Sequence, residues 1–157
     1  MRNPLGLARA LALLVPAVAL AVAFGSQYLG GLVPCEMCWW QRYAHIAALV
    51  LALLAFLVRG RAMVWLAALA IAVSGAIGFY HAGVELHYFP GLTQCTATVT
   101  GGSTEDFLKA IMSAPLVRCD DIQWSFLGIS MAGWNAILSL GSALVILWLS
   151  LRRERTT

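Results

Sequence analysis

The sequence predicts an all-α membrane protein: a four-transmembrane-helix bundle with two loops on one side of the bilayer, the second carrying a short amphipathic surface helix. Three observations carry that prediction. Of 157 residues, 61% are hydrophobic and only 11% charged, far from the composition of a soluble domain. The apolar residues gather into four stretches of the length needed to cross a hydrocarbon core of roughly 30 Å at about 1.5 Å per residue. The ten Lys and Arg fall in ones and twos between those stretches. The net charge of +3 therefore leaves no basic patch for nucleic acid, and the value of these residues is topological. The whole chain, 1–157, reads as one integral membrane domain.

Arg2 and Arg9 precede the first apolar run, about 10–28, which Pro16 should bend. Ala21-Val22-Ala23 has the small-x-small look of a signal-peptide cleavage site. The run continues past it and three more spans follow, which favours a retained first span. The first loop, about 29–42, is short and holds Cys35 and Cys38. Span two, about 43–58, is short unless Trp39 to Arg42 already form its interfacial turn. Arg59-Gly60-Arg61 is a tight, basic reversal into span three, about 62–80, where Gly75 and Gly78 would allow close helix contact.

The second loop, about 81–130, holds Cys95 and Cys119. Within it, Phe107, Leu108, Ile111 and Met112 recur at helical spacing opposite Glu105, Asp106 and Lys109, with Ser103 as N-cap and Pro115 as stop. A helix lying on the membrane surface is expected, although the pattern alone serves equally a face packed on the protein itself. Span four, about 131–151, has Ser130 as its cap and Trp134 and Trp148 placed for the two interfacial belts.

Charge orients the bundle. Seven of the ten basic residues (Arg2, Arg9, Arg59, Arg61, Arg152, Arg153, Arg155) lie on the side of the termini and the turn between spans two and three; Arg42, Lys109 and Arg118 lie on the other. By the positive-inside rule both termini are cytoplasmic. The four cysteines then face the oxidising side, the periplasm of a bacterium with two membranes, where disulfides persist.

Pro34-Cys35-Glu36-Met37-Cys38-Trp39-Trp40-Gln41-Arg42 concentrates the chemistry. Cys-x-x-Cys closes a small disulfide ring, supplies half a zinc site, or carries haem when His follows; Trp39 removes the last option. If a helix begins here, Cys38 sits in its first turn, where unpaired amides and the dipole favour a thiolate. Arg42 at i+4 would face it with a charge that is always present. Three uses of the four cysteines stay open. Two structural disulfides are the simplest, a Cys95–Cys119 bridge contributing roughly 3–4 kcal/mol in the chain-entropy view. Zinc is disfavoured and no metal is expected, because no Cys or His lies within four residues of Cys95 or Cys119. Thiol–disulfide exchange needs thiols of different pKa on loops that can meet, and Gly91, Gly101 and Gly102 give the second loop that freedom.

Pro-Cys-x-x-Cys-x-x-x-Arg between two apolar spans, with Cys119 followed by Trp124-Ser125-Phe126-Leu127-Gly128 and Trp134 before the last span, resembles the DsbB family of quinone-dependent, disulfide-generating membrane proteins over nearly the whole chain. The resemblance implies the following expectations. The second-loop pair Cys95 and Cys119 would accept electrons from a periplasmic thioredoxin-fold dithiol oxidase of the DsbA type, Cys95 forming the mixed disulfide. Cys119 would exchange with Cys35, and electrons would reach Cys38, which passes them to ubiquinone or menaquinone from the membrane pool. Arg42 would lie at the quinone, its charge steadying both the thiolate and a developing quinone oxyanion; an Arg reaching lipid phosphate is the alternative. His81, at the outer end of span three, would hydrogen-bond the quinone or shuttle a proton, with Gln41 as a lesser neighbour. His45 reads better as a helix-to-helix hydrogen bond, and His87 as a loop residue. Trp39, Trp40 and Tyr43 suit an interfacial belt, and one of them could wall the quinone pocket. The rivals are the vitamin K epoxide reductase-like family, whose Cys-x-x-Cys belongs to the last span, and a non-enzymatic membrane protein with structural disulfides.

Overall fold

The computed structural model describes residues 3–58, 60–91, 103–105, 108, 112 and 118–152. Four long helices dominate it: α1 (Pro4–Tyr28), α2 (Glu36–Leu57), α3 (Ala62–Glu85) and α4 (Met131–Leu151). All four are long and apolar enough to cross a membrane. Before α4, β1 (Ser125–Phe126) pairs antiparallel with β2 (Ile129–Ser130). This small hairpin has no counterpart in the sequence reading. Its turn places Leu127 (φ 53°) and Gly128 (φ 76°) both in the left-handed region, the geometry that matches strand twist in a two-residue loop.

Capping chemistry sets where the helices start. The Asn3 side chain accepts from Gly6 N at 2.9 Å, with Pro4 opening α1. Ser130 does the same for α4, accepting from Gly133 N at 3.1 Å, so span four begins and ends where expected. Three boundaries differ from the sequence reading, the first being α1, which starts at Pro4 instead of about 10. α2 starts at Glu36 instead of about 43, because Cys35 itself is the N-cap, its sulfur accepting from Cys38 N at 3.4 Å. The motif is thus the first turn of the span. α3 runs past 80 to Glu85, carrying His81 within the helix. It stops where His87 turns left-handed (φ 61°) and the amides of Tyr88 and Phe89 donate back to Gly83 O at 2.8 and 3.1 Å. Phe89 then lies on Gly83 so closely that a Cβ there would meet the ring at 2.2 Å.

The bundle is packed with small residues. Ala8, Ala12, Ala48, Ala52, Ala55, Ala67 and Ala68 are fully buried, with Val64, Ile71, Ala143 and Ile146. Larger side chains such as Leu53, Phe56, Leu69, Val73 and Leu144 point outward. Lipid is as apolar as leucine, so helices gain by close backbone approach and by hydrogen bonds, not by hiding leucines from their surroundings. α3 is the central element, packed most extensively on α4 and α2, while α1 lies against α2 and α4. Gly75 and Gly78 provide the approach: a Cβ at Gly75 would meet Leu140 Cγ at 2.9 Å, and one at Gly78 the carbonyl of Ala132 at 2.9 Å. Pro16 is buried inside α1.

In the second loop, Thr104, Glu105, Leu108 and Met112 are helical, and Leu108 and Met112 are exposed. Phe107, Ile111, Lys109 and Pro115, like Cys95, Gly101 and Gly102, lie outside the described residues.

Candidate active site

The end of the bundle where α2 begins gathers the chemistry. Cys35 and Cys38 are thiols, with sulfurs 3.3 Å apart. Cys35 and Cys119 are buried in one cluster with Met37 and Val84, and the Cys119 side chain hydrogen-bonds Cys35. The two loops therefore already meet, and Cys35 stands between Cys119 and Cys38. Those hydrogen bonds, from Cys119 first and Cys38 second, together with burial, hold the Cys35 thiol well above its ordinary pKa. Cys38, in contrast, is in electrostatic contact with Arg42 one turn on.

Arg42 is buried, so it does not reach lipid phosphate. Its guanidinium turns inward to α1: Nη1 donates to Gln27 Oε1, and Nη2 to Ala23 O at 2.9 Å. It also lies over the rings of Phe24 and Trp39, 4.9 and 5.0 Å from their centroids, and those two rings meet edge to face. Trp39 thus packs against the Arg42 side chain.

A polar seam runs from this point across three helices. Gln41 Nε2 donates to Met37 O (3.2 Å), which can only accept, so the amide orientation is fixed and the same nitrogen donates to His81 Nδ1 (2.9 Å). Gln41 Oε1 accepts from Asn135 Nδ2 (2.7 Å), and Asn135 Oδ1 accepts from His45 Nε2 (2.9 Å) and from Ser139 Oγ (2.8 Å). Ser74 Oγ donates to Gln41 O at 3.1 Å. His45 is therefore a helix-to-helix hydrogen bond. Gln41, a minor candidate from sequence, is the centre of the seam.

The seam decides the state of His81. With Nδ1 accepting, the ring proton is on Nε2, which lies 3.2 Å from Cys119 O, 3.5 Å from Cys35 Sγ and 3.9 Å from Glu85 Oε1. His81 is thus a donor aimed at the cysteine cluster. The same tautomer opposes a metal reading. Cys35, Cys38 and His81 offer ligand atoms within 4.8 Å of one another, but a ligating imidazole gives its metal a bare nitrogen and donates from the other one.

Beside the cysteines lies a cavity of about 990 Å³. Leu14, Val18 and Val22 of α1 and Leu138 of α4 wall it, and Cys38, Gln41, Arg42 and His81 lie along its polar side. Sequence reasoning missed two residues here: Asn135, and Glu85, whose Oε2 accepts from Ser130 Oγ. An ionisable residue inside a span is a functional signal, hidden for Glu85 because span three was ended too early. The His87 ring lies 3.1 Å from the backbone carbonyl of Glu85 and within electrostatic reach of Asp120.

Fold and site together define a four-span membrane protein whose interloop cysteine cluster borders an apolar cavity, the class of membrane thiol–disulfide proteins. The family model "Disulfide bond formation protein DsbB" matches residues 6–149. The chain is 33% identical to a disulfide bond formation protein B of Marinobacter nauticus, covering 92% of this chain and 90% of that one. It is 35% identical to another from Paracidovorax citrulli, covering 94% and 89%. It is also 24% identical to an uncharacterized protein of Rickettsia prowazekii, covering 78% and 74%. No solved structure gives a significant match. The chain belongs to the DsbB family, and with it to the disulfide-forming oxidoreductases.

Proposed function

We propose that this protein reoxidises a periplasmic DsbA-like dithiol oxidase and passes the electrons to a quinone of the bilayer, so that disulfides are made de novo. The observation that carries the reading is the order of the sulfurs. Cys119 contacts Cys35, Cys35 contacts Cys38, and Cys38 lines the apolar cavity with Arg42.

Electrons enter through Cys95 and Cys119, the second-loop pair. Cys119, a buried thiol once the second-loop disulfide is reduced, attacks Cys35 of a Cys35–Cys38 disulfide, giving up its proton as the Cys35–Cys119 bond forms and Cys38 leaves as a thiolate beside Arg42. His81 Nε2–H steadies charge on Cys35, and Gln41 keeps that proton on the correct nitrogen. The cavity suits a quinone: it is apolar along α1, of ligand size, and polar at the end where Cys38 sits. Quinone, when bound, supplies the two-electron acceptor; ubiquinone and menaquinone share the head and tail this cavity would take. Arg42, Gln41 and His81 are its proposed binding residues. Both termini are placed in the cytoplasm and the cysteines in the periplasm of the bacterial inner membrane, on the charge asymmetry.

The test is to catch the exchange. Wild-type protein, freed of quinone and given a reduced DsbA-type protein, should accumulate a Cys35–Cys119 disulfide identifiable by peptide mass spectrometry. A donor that is oxidised without that bond ever forming contradicts the order of the relay.

A further inference from the structure

The relay has a proton to place. When the Cys119 thiol attacks the Cys35–Cys38 disulfide, a sulfur–sulfur bond forms, another breaks, Cys119 is oxidised, Cys38 is reduced, and one proton must leave Cys119. The nearby imidazole does not take it. Gln41 donates into His81 Nδ1 at 2.9 Å, so Nε2 already carries hydrogen and faces the cluster as a donor. Among the described residues Glu85 is the one buried carboxylate. It lines the same cavity as Cys35, Cys38 and His81, and its Oε1 and the Cys35 sulfur lie 3.9 and 3.5 Å from the same His81 Nε2. Its other oxygen is held by Ser130 Oγ–H, whose lone pair meanwhile accepts from Gly133 N at the start of α4. The hydroxyl hydrogen is therefore committed to Glu85, and the carboxylate sits at the positive end of a helix.

Building on the relay proposed above, we propose that Glu85 is the proton acceptor of the cysteine cluster: it takes the Cys119 proton, directly or through one water in the cavity, as the Cys35–Cys119 bond forms and Cys38 leaves as a thiolate. Proton and charge then balance within the site: a carboxylate is neutralised as a thiolate appears beside Arg42. The groups facing Glu85 are His81 and His87 from its own helix and the turn after it, Ser130 from the start of α4, Cys119 from the second loop and Cys35 and Cys38 from α2. Arg42, Arg118 and Asp121 lie around the same cavity. A tie between α3 and α4 alone would need a hydrogen-bond acceptor but not a titrating one.

Glu85→Gln separates the two roles, since the amide oxygen still accepts from Ser130 but takes no proton. Quinone-free protein in lipid nanodiscs is mixed with a reduced DsbA-type protein and quenched with acid, and Cys35–Cys119 formation is timed between about pH 6 and pH 9. The variant is expected to be slowed about 100-fold near neutrality. Its rate should climb with pH as solvent base takes over, against a flatter wild-type profile. In parallel, infrared difference spectra of the wild type should gain the carbonyl band of a protonated carboxylic acid as the bond forms. A variant at wild-type rate, a slowed variant with the wild-type pH profile, or a wild type whose acid band is absent throughout or present from the start overturns the assignment. A wild type that never oxidises the donor overturns the relay instead.

Discussion

Replacing Arg42 by methionine keeps an apolar stem of similar length and removes the guanidinium. In the structure that group donates two charge-assisted hydrogen bonds, to Gln27 Oε1 and Ala23 O, and lies over the rings of Phe24 and Trp39. Each such hydrogen bond contributes about 1.5–3 kcal/mol, and each ring contact about 0.5–1 kcal/mol. Part of this returns, because Gln27 is only half-buried and can turn to its surroundings, and Ala23 O belongs to a helix that keeps its own backbone bonds. A net loss of about 2–4 kcal/mol is expected, read as a lower thermal unfolding midpoint in detergent. Arg42→Met should also slow quinone reduction by about 100-fold through loss of the charge facing the developing oxyanion. Arg42→Lys should recover part of the rate but little of the stability, since an ammonium lacks the planar fork that binds α1 at two points. An Arg42→Met protein with the wild-type unfolding midpoint and wild-type quinone kinetics would refute both the packing role and the proposed binding role.

Three further outcomes are expected. Gly78→Ala drives a Cβ to 2.9 Å from Ala132 O and 3.1 Å from Ala136 N, both α4 backbone. It should cost about 1–3 kcal/mol, whereas Gly141→Ala, with nothing within 4 Å, should leave the unfolding midpoint unchanged. In the reduced protein the Cys35 thiol titrates above its unfolded value of 9.0, so the folded state keeps a proton that the unfolded state surrenders. Its contribution is complete below pH 9.0 and is lost as pH rises beyond it; the disulfide form should show no such fall when unfolding midpoints are followed against pH. Finally, a nitroxide carried at Leu108 by an unnatural amino acid should be relaxed by oxygen from the lipid phase, since Leu108 and Met112 share an exposed helical face. Relaxation only by a water-soluble reagent would remove the membrane-surface helix.

The spans were legible because lipid leaves a chain few options: long apolar runs become helices, and Ser130 and Gly78 announce a cap and a close crossing. Cys38 in a first helical turn with Arg42 behind it could also be read from spacing. Boundaries were harder. Cys35 caps α2 through its own sulfur, a use that helix-start rules built on Ser, Thr, Asp and Asn do not flag, so the span appeared to begin a turn or two late. His81 and Glu85 looked like the start of a loop because polar residues near a membrane surface carry no sign of which way they face. The seam through Gln41, Asn135 and His45 joins three helices at separations of 40 to 94 residues. No local pattern encodes such a pairing, and with it went the tautomer of His81 and the part played by Gln41.

The central claim is that Cys38 is the last sulfur before the quinone. It is tested most directly by following quinone reduction by the purified protein in detergent, with a reduced DsbA-type protein as donor and Cys38→Ser alongside the wild type. The account predicts steady turnover with ubiquinone or menaquinone in the wild type and none in the variant. Turnover that survives in Cys38→Ser would contradict it, as would a folded wild type with all four cysteines oxidised that reduces neither quinone.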